Sequence, residues 1–297
     1  MTRIRHIRAY FVLFFLLLSS FSTPSLAGGM IRDSELEAGF EALSAPMAHA
    51  AGMQDGIIIR IIIDPSYNAF VAGGRTIYLH SGLLLKARSA EEILGVIAHE
   101  IGHLAAGHVP LRSEAVQEAG LATALATVAA AAAAAAGSPD AALGLAIGGV
   151  DTGKRNYLKT SRRDESRADE WALQLLDNTG ISSFGLAEVM RRLSAQSALP
   201  TSRQSSYYSS HPGAGERLAT FNDHLSRHKN SKREISEKDM RLLQRLVAKL
   251  AAYVHPPRQT LNKPLNIIWP RSKIDQTPLA LEADTAFYAK TIAHYRY

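Results

Sequence analysis

The stretch GVIAHEIGHLAAGH, residues 95–108, sets His99, Glu100 and His103 inside an otherwise apolar run. Residues four apart on a helix share a face, so His99 and His103 would direct both imidazoles to one point. That spacing suits two ligands of a tetrahedral Zn2+ ion. Glu100, about 100° further round the helix, would stand beside the ion without binding it. A bound zinc lowers the pKa of a water toward about 7, and Glu100 is placed to take its proton. Burying a carboxylate and bare imidazoles uncompensated costs on the order of several kcal/mol. A divalent cation supplies the compensation.

A third ligand is needed, and the chain has no cysteine. That excludes thiolate ligands, disulfides and a cysteine nucleophile. Glu165 and Asp169 are also four apart, within TSRRDESRADEWALQLLDNTG, residues 160–180. Glu165 is the candidate third ligand. Asp169, one turn on, is placed to accept a hydrogen bond from the non-coordinating nitrogen of a ligand histidine, which fixes its tautomer. Arg162, Arg163, Asp164, Arg167 and Glu170 surround the pair, so spacing alone fits a solvated charged face as well.

These residues need elements to hold them. Ser89 with Glu92 three positions on is a capping-box pattern, and Pro110 is a helix stop. The two predict a helix from Ala90 to Val109. Gly180 ends a second helix over 160–180. GIIIRIIID, residues 56–64, reads as a buried strand. NAFVAGGRTIYLH, residues 68–80, reads as a hairpin turning at Gly73-Gly74, and SGLLLKA as a short helix after it. Helices are also expected over 31–51, 183–196 and 236–254, the last burying Met240, Leu243, Leu246, Val247 and Leu250 on one face. Residues 120–136 close in eight alanines. With the break at Gly137-Ser138-Pro139 and the run AALGLAIGGV after it, they predict a helical hairpin over 120–150. Each arm is shorter than the roughly 20 residues of a membrane span, and the hairpin is read as packed on the domain with contact to a membrane as the rival. His80 and His108 carry no partner pattern and are read as structural, and Tyr207 and Tyr208 as loop anchors.

The 297 residues, 46% hydrophobic, suffice for one sizeable domain with a small appendage. Arg3, Arg5 and Arg8, the apolar run Phe11 to Leu18 and Ser25-Leu26-Ala27 form an export-signal pattern cleaved near Ala27. Its loss removes three arginines and no acid, so the net charge falls from +6 to +3. So small a surplus gives no case for a nucleic-acid partner.

HEIGH followed by ESRAD resembles the gluzincin metallopeptidases of the HtpX and CAAX-prenyl-endopeptidase type, and within them the exported BepA-like (YfgC-like) proteases, over residues 33–225. The resemblance implies that Glu165 is the third zinc ligand and that Asp169 supports His99. NAFV, residues 68–71, resembles the family's edge strand, which implies that Asn68 and Ala69 contact the substrate backbone as an added β-strand. HPGAGER, residues 211–217, resembles its His-Pro segment. That implies that His211 and Arg217 approach the metal and stabilise an oxyanion, or that His211 fills the open metal position and keeps the enzyme latent. Residues 281–297 resemble the first helix of a tetratricopeptide repeat.

The expectation is an α+β, mostly helical zincin-type domain over 28–255, with a small sheet whose edge strand faces the zinc site. Residues 1–27 are a signal peptide and 256–297 a linker and helix. The expected activity is a periplasmic zinc endopeptidase, with Glu100, His211 and Arg217 catalytic and His99, His103 and Glu165 on one Zn2+. By resemblance its partners are misfolded or stalled envelope proteins and the outer-membrane assembly machinery. The rival reading is a non-catalytic chaperone or assembly factor with a structural zinc.

Overall fold

The computed structural model describes residues 29–108, 125–131, 133, 138–228, 235–255 and 288. The expected signal peptide, Pro110, much of the 120–150 hairpin and nearly all of 256–297 lie outside these residues.

The chain enters through strand β1 (Met30–Ile31) and helix α1 (Ser34–Ala50). The Asp33 side chain caps α1 by accepting from Leu36 N–H at 2.9 Å. Strand β2 (Ile58–Ile62) follows, then β3 (Ala69–Ala72) and β4 (Thr76–His80). Burial alternates along β2, Ile59 and Ile61 being buried while Ile58 is exposed, although isoleucine stands on both faces. Gly73 and Gly74 both have positive φ, 62° and 76°, and turn the β3–β4 hairpin where a side chain would be strained. The sheet order is β1-β2-β4-β3. β2 pairs parallel with β4, and both outer pairings are antiparallel. The hairpin therefore ends with β3 as an edge strand.

Helix α2 (Ser81–Lys86) leads to α3 (Ala90–Ala105), the centre of the core. The N-cap half of the expected capping box forms, Ser89 Oγ accepting from Glu92 N–H at 3.2 Å, while the Glu92 carboxylate turns to other partners than Ser89 N–H. The Glu92 carboxylate accepts from Arg88 N–H at 3.0 Å and pairs with Arg192. Every residue from Ala90 to His103 is buried. The expected end at Val109 is corrected to Ala105. Gly107, φ 70°, reverses the backbone first and carries His108 back toward the helix it has just left.

Helix α4 (Pro139–Thr179) runs 41 residues. The separate helix expected from residue 160 is one with the segment before it. Between Pro139 and Gly180 there is no proline, and an interior glycine such as Gly153 costs only about 1 kcal/mol. Gly180 ends it in the left-handed conformation, with Ile181 N–H donating to Leu176 C=O at 2.9 Å. Then come α5 (Phe184–Ala195), the short α6 (Ser206–Ser210), α7 (Ala214–Arg227) and α8 (Glu237–Val254). α8 buries Met240, Leu243, Leu246, Val247 and Leu250 as expected. A mostly helical body around a small mixed sheet is thus the α+β architecture expected. No helix among the described residues is long and apolar enough to cross a membrane.

α3 crosses α4 at close range. A Cβ added to Gly102 would lie 2.4 Å from the Ala168 carbonyl oxygen. The missing side chain lets two histidines on one helix meet a glutamate on the other.

Candidate metal centre

His99 and His103 project from α3 toward α4, which presents Glu165 and Asp169, while His211 arrives from the turn between α6 and α7. His99 Nε2 lies 3.1 Å from His103 Nε2, 3.2 Å from Glu165 Oε2 and 3.3 Å from His211 Nδ1. His103 Nε2 lies 3.4 Å from Glu165 Oε1, and His211 Nδ1 2.9 Å from Glu165 Oε2. All four residues are buried. Donors about 2.0–2.1 Å from one tetrahedral ion stand about 3.3–3.4 Å apart. The four side chains therefore outline such an ion's coordination shell.

Proton positions follow from the partners. His99 Nδ1 is 2.9 Å from Asp169 Oδ1, so its proton belongs there and its Nε2 lone pair faces the cluster. His103 Nδ1 is 2.9 Å from His108 Nδ1, and with the proton of that contact on His103 its Nε2 also faces inward as a lone pair. His211 Nε2 lies 3.4 Å from the Ala69 carbonyl oxygen and 3.5 Å from Glu165's neighbour in the site, Glu100 Oε1. Both are acceptors, and in the tautomer with the proton on Nε2 the Nδ1 atom, 2.9 Å from Glu165 Oε2, offers a lone pair to the cluster. Three imidazole lone pairs and a carboxylate converging in a dry interior repel one another unless a cation lies between them. The donor set fits a borderline divalent metal such as zinc.

Electrostatics agree. Burial pushes the Glu165 carboxyl up, but His211, His103 and Arg217 outweigh it and hold the group well below the usual carboxylate range. Asp169 is likewise held low, burial being offset by Arg217 and His99. Burial pushes His99 down, yet hydrogen bonds to Asp169 and Glu165 bring it to about 9, whereas burial dominates at His103 and takes it to about 3. Glu165 and Asp169 thus keep their negative charge in the interior, the property a metal cation exploits.

Arg217 sits behind these ligands rather than in front of them. Its Nε and Nη2 donate to Asp169 Oδ2 and Oδ1 at 2.6 and 2.7 Å, and Nη1 donates to Glu165 Oε2 at 2.9 Å. Nη1 also approaches the carbonyls of His211 and Pro212 at 3.4 Å. A guanidinium so engaged holds the Asp169 and Glu165 carboxylates in place. Asn68 and Ala69 open the edge strand: Asn68 Oδ1 accepts from Ser210 Oγ at 3.4 Å, and Ala69 touches His211 as above. Strand, metal donors and His-Pro turn therefore share one small volume.

One contributor escaped the sequence reading, and another, Tyr207, is the loop anchor expected. His108, read as merely structural, contacts His103 and comes within 3.9 Å of Asp164. The signal was Gly107, whose turn folds the next residue back. Tyr207 is fully buried with its ring 4.2 Å from that of His211, and it backs the turn.

Geometry of this kind belongs to the metallopeptidases in which a glutamate from a second helix completes a helix-borne histidine pair. The profile of peptidase family M48 matches residues 31–224, and the chain belongs to that family. It is 33% identical over 174 residues to metalloprotease LoiP of Escherichia coli (strain K12), covering 56% of this chain and 62% of LoiP. Metalloprotease YcaL of the same organism is 29% identical over 167 residues, 56% of this chain and 61% of YcaL. The beta-barrel assembly-enhancing protease of E. coli (strain K12) is 24% identical over 173 residues, 58% of this chain and 35% of that protein. The chain therefore spans less than two thirds of each of these relatives.

Proposed function

We propose that this chain is an exported zinc endopeptidase that hydrolyses peptide bonds of misfolded or stalled envelope proteins in the periplasm. The observation that carries the reading is the convergence of the His99, His103 and Glu165 donors on one point beside the Glu100 carboxylate. Zinc held there would polarise a peptide carbonyl and acidify a water. Glu100, beside that point, would accept the proton of the attacking water and pass it to the leaving amine. Asp169 holds the His99 tautomer, and Arg217 ties Asp169 to Glu165, so that both donors keep their orientation. The outer edge of β3, from Asn68 and Ala69 onward, offers main-chain groups to an extended substrate, which favours unfolded over folded polypeptides. The relatives named for β-barrel assembly support substrates and partners in outer-membrane assembly, and carbonate extraction of the full chain tests whether residues 120–150 hold it at a membrane.

His211 is read as a fourth metal ligand in the conformation described. With the proton on Nε2, its Nδ1 lone pair faces the other donors and its N–H faces Ala69 and Glu100. This conformation is the latent one, and withdrawal of the turn would free both the fourth position and Glu100.

Glu100→Gln tests the proposal. It removes the base and leaves the metal ligands, so zinc content should equal that of the parent while cleavage of casein disappears. If variant and parent behave alike in every assay, the chain acts as a binding factor whose zinc is structural.

A further inference from the structure

A second group of metal-ligand side chains lies away from the centre just described. Asp177 stands in the last turn of α4, His224 in the last turn of α7, and His228 caps α7. His224 Nε2 is 3.3 Å from Asp177 Oδ1, and His228 Nδ1 is 2.8 Å from Asp177 Oδ2. One donor atom from each residue lies within 4.8 Å of the others. The two imidazoles are four residues apart on one face and stack, with ring centres 3.9 Å apart and planes 10° from parallel. Both turn a nitrogen-bearing edge to the same carboxylate. Asp177 and His224 are largely buried, whereas the side chain of His228 is 48% exposed, which leaves one side of the cluster open to solvent.

We propose that Asp177, His224 and His228 form a second divalent-metal site, taking Zn2+ through two imidazoles and one carboxylate, with water completing the shell. Imidazole and carboxylate together suit zinc, and a cation between them removes the crowding of two stacked rings against one acid. The site's position gives it a task. Arg217 bridges α7 to Asp169 on α4. His224 lies seven residues beyond Arg217, and Asp177 eight beyond Asp169. The two helices thus run in the same sense and are joined at two rungs about 12 Å apart along their axes. A metal at the outer rung clips the helix ends together and fixes the register of the inner rung, the one that orients Glu165. The inference does not depend on the proteolytic reading.

The test uses the full chain, stripped with chelator and equilibrated at micromolar free Zn2+. Metal analysis of the parent should give two Zn2+ per chain, and His228→Gln and His224→Ala/His228→Gln should each give one. With the first site already filled, added Zn2+ should raise the thermal midpoint of the parent and leave that of His228→Gln unmoved. The exposed position of His228 keeps that variant folded, and its unchanged circular dichroism and retained first zinc would show it. One Zn2+ per chain in the parent, or two in His228→Gln, overturns the proposal. In the first case the cluster is a pair of His–Asp contacts at a helix end and nothing more.

Discussion

Arg217→Met removes the cation from a buried network while keeping most of the side chain's bulk. The guanidinium is 5% exposed and makes three charged hydrogen bonds of 2.6–2.9 Å to two carboxylates that are themselves 2% and 0% exposed. Breaking a buried pair from one side costs about 3–5 kcal/mol, because the partner charge stays behind unpaired. Two stranded acids put Arg217→Met at the upper end, a large fraction of a domain stability of about 5–15 kcal/mol. Urea denaturation of chelator-treated protein measures this without a contribution from metal binding. Adding Asp169→Asn should recover part of the loss, with a coupling energy of about 1–3 kcal/mol, since the pair would then be removed together. Zinc affinity of Arg217→Met should fall about 10–100-fold, the usual cost of losing a group that orients a ligand. A variant within about 1 kcal/mol of the parent and with unchanged zinc affinity would refute the positioning role.

His211→Ala should raise the initial rate of casein cleavage at saturating zinc, because the fourth metal position is opened; a fall in rate with zinc retained would show that the histidine assists the reaction instead. Gly102→Ala sets a methyl group 2.4 Å from the Ala168 carbonyl oxygen, so α3 and α4 must part. A stability loss of at least about 1–3 kcal/mol, together with weakened zinc binding by calorimetry, is expected, and an unchanged protein would show that the crossing is slack. Lys249 bonds Asp33 and Glu35 at 2.8 and 2.7 Å. Burial raises the Asp33 carboxyl, but Lys249, the Leu36 N–H and the Tyr253 hydroxyl hold it below its usual value. A carboxylate depressed on folding stabilises at pH above its unfolded value, and that stability is lost as pH falls through the folded one. The drop in stability between about pH 7 and about pH 3 should therefore shrink in Lys249→Met, and an undiminished drop would clear this cluster of any role in acid sensitivity.

The metal triad was legible because the chemistry leaves a local mark. His99 and His103 stand four apart in a helix whose cap, Ser89, is visible in the sequence, and Glu165 and Asp169 repeat the spacing. The strands were legible from the β-branched run around Ile59 and Ile61, bounded by Gly56 and Pro65, and the hairpin turn from Gly73-Gly74. Other features depend on how distant segments meet. Arg217 looks like any surface arginine in the first turn of a helix, and only the packing of α7 against α4 reveals that both its forks are engaged. His108 lies past a glycine whose left-handed turn has no fixed consequence until the rest of the site is in place. The length of α4 was hidden because Gly153 resembles a break, and a helix tolerates it.

The candidate ligand atoms come from parts of the chain that are far apart in order: His211 meets His99 at a sequence separation of 112 and Glu165 at one of 46. Contacts of such span carry a large loop-closure cost when a polypeptide folds. A half-folded copy therefore carries the HEIGH segment without the converged cluster. Whatever chemistry the cluster supports waits on the meeting of α3, α4 and the turn between α6 and α7.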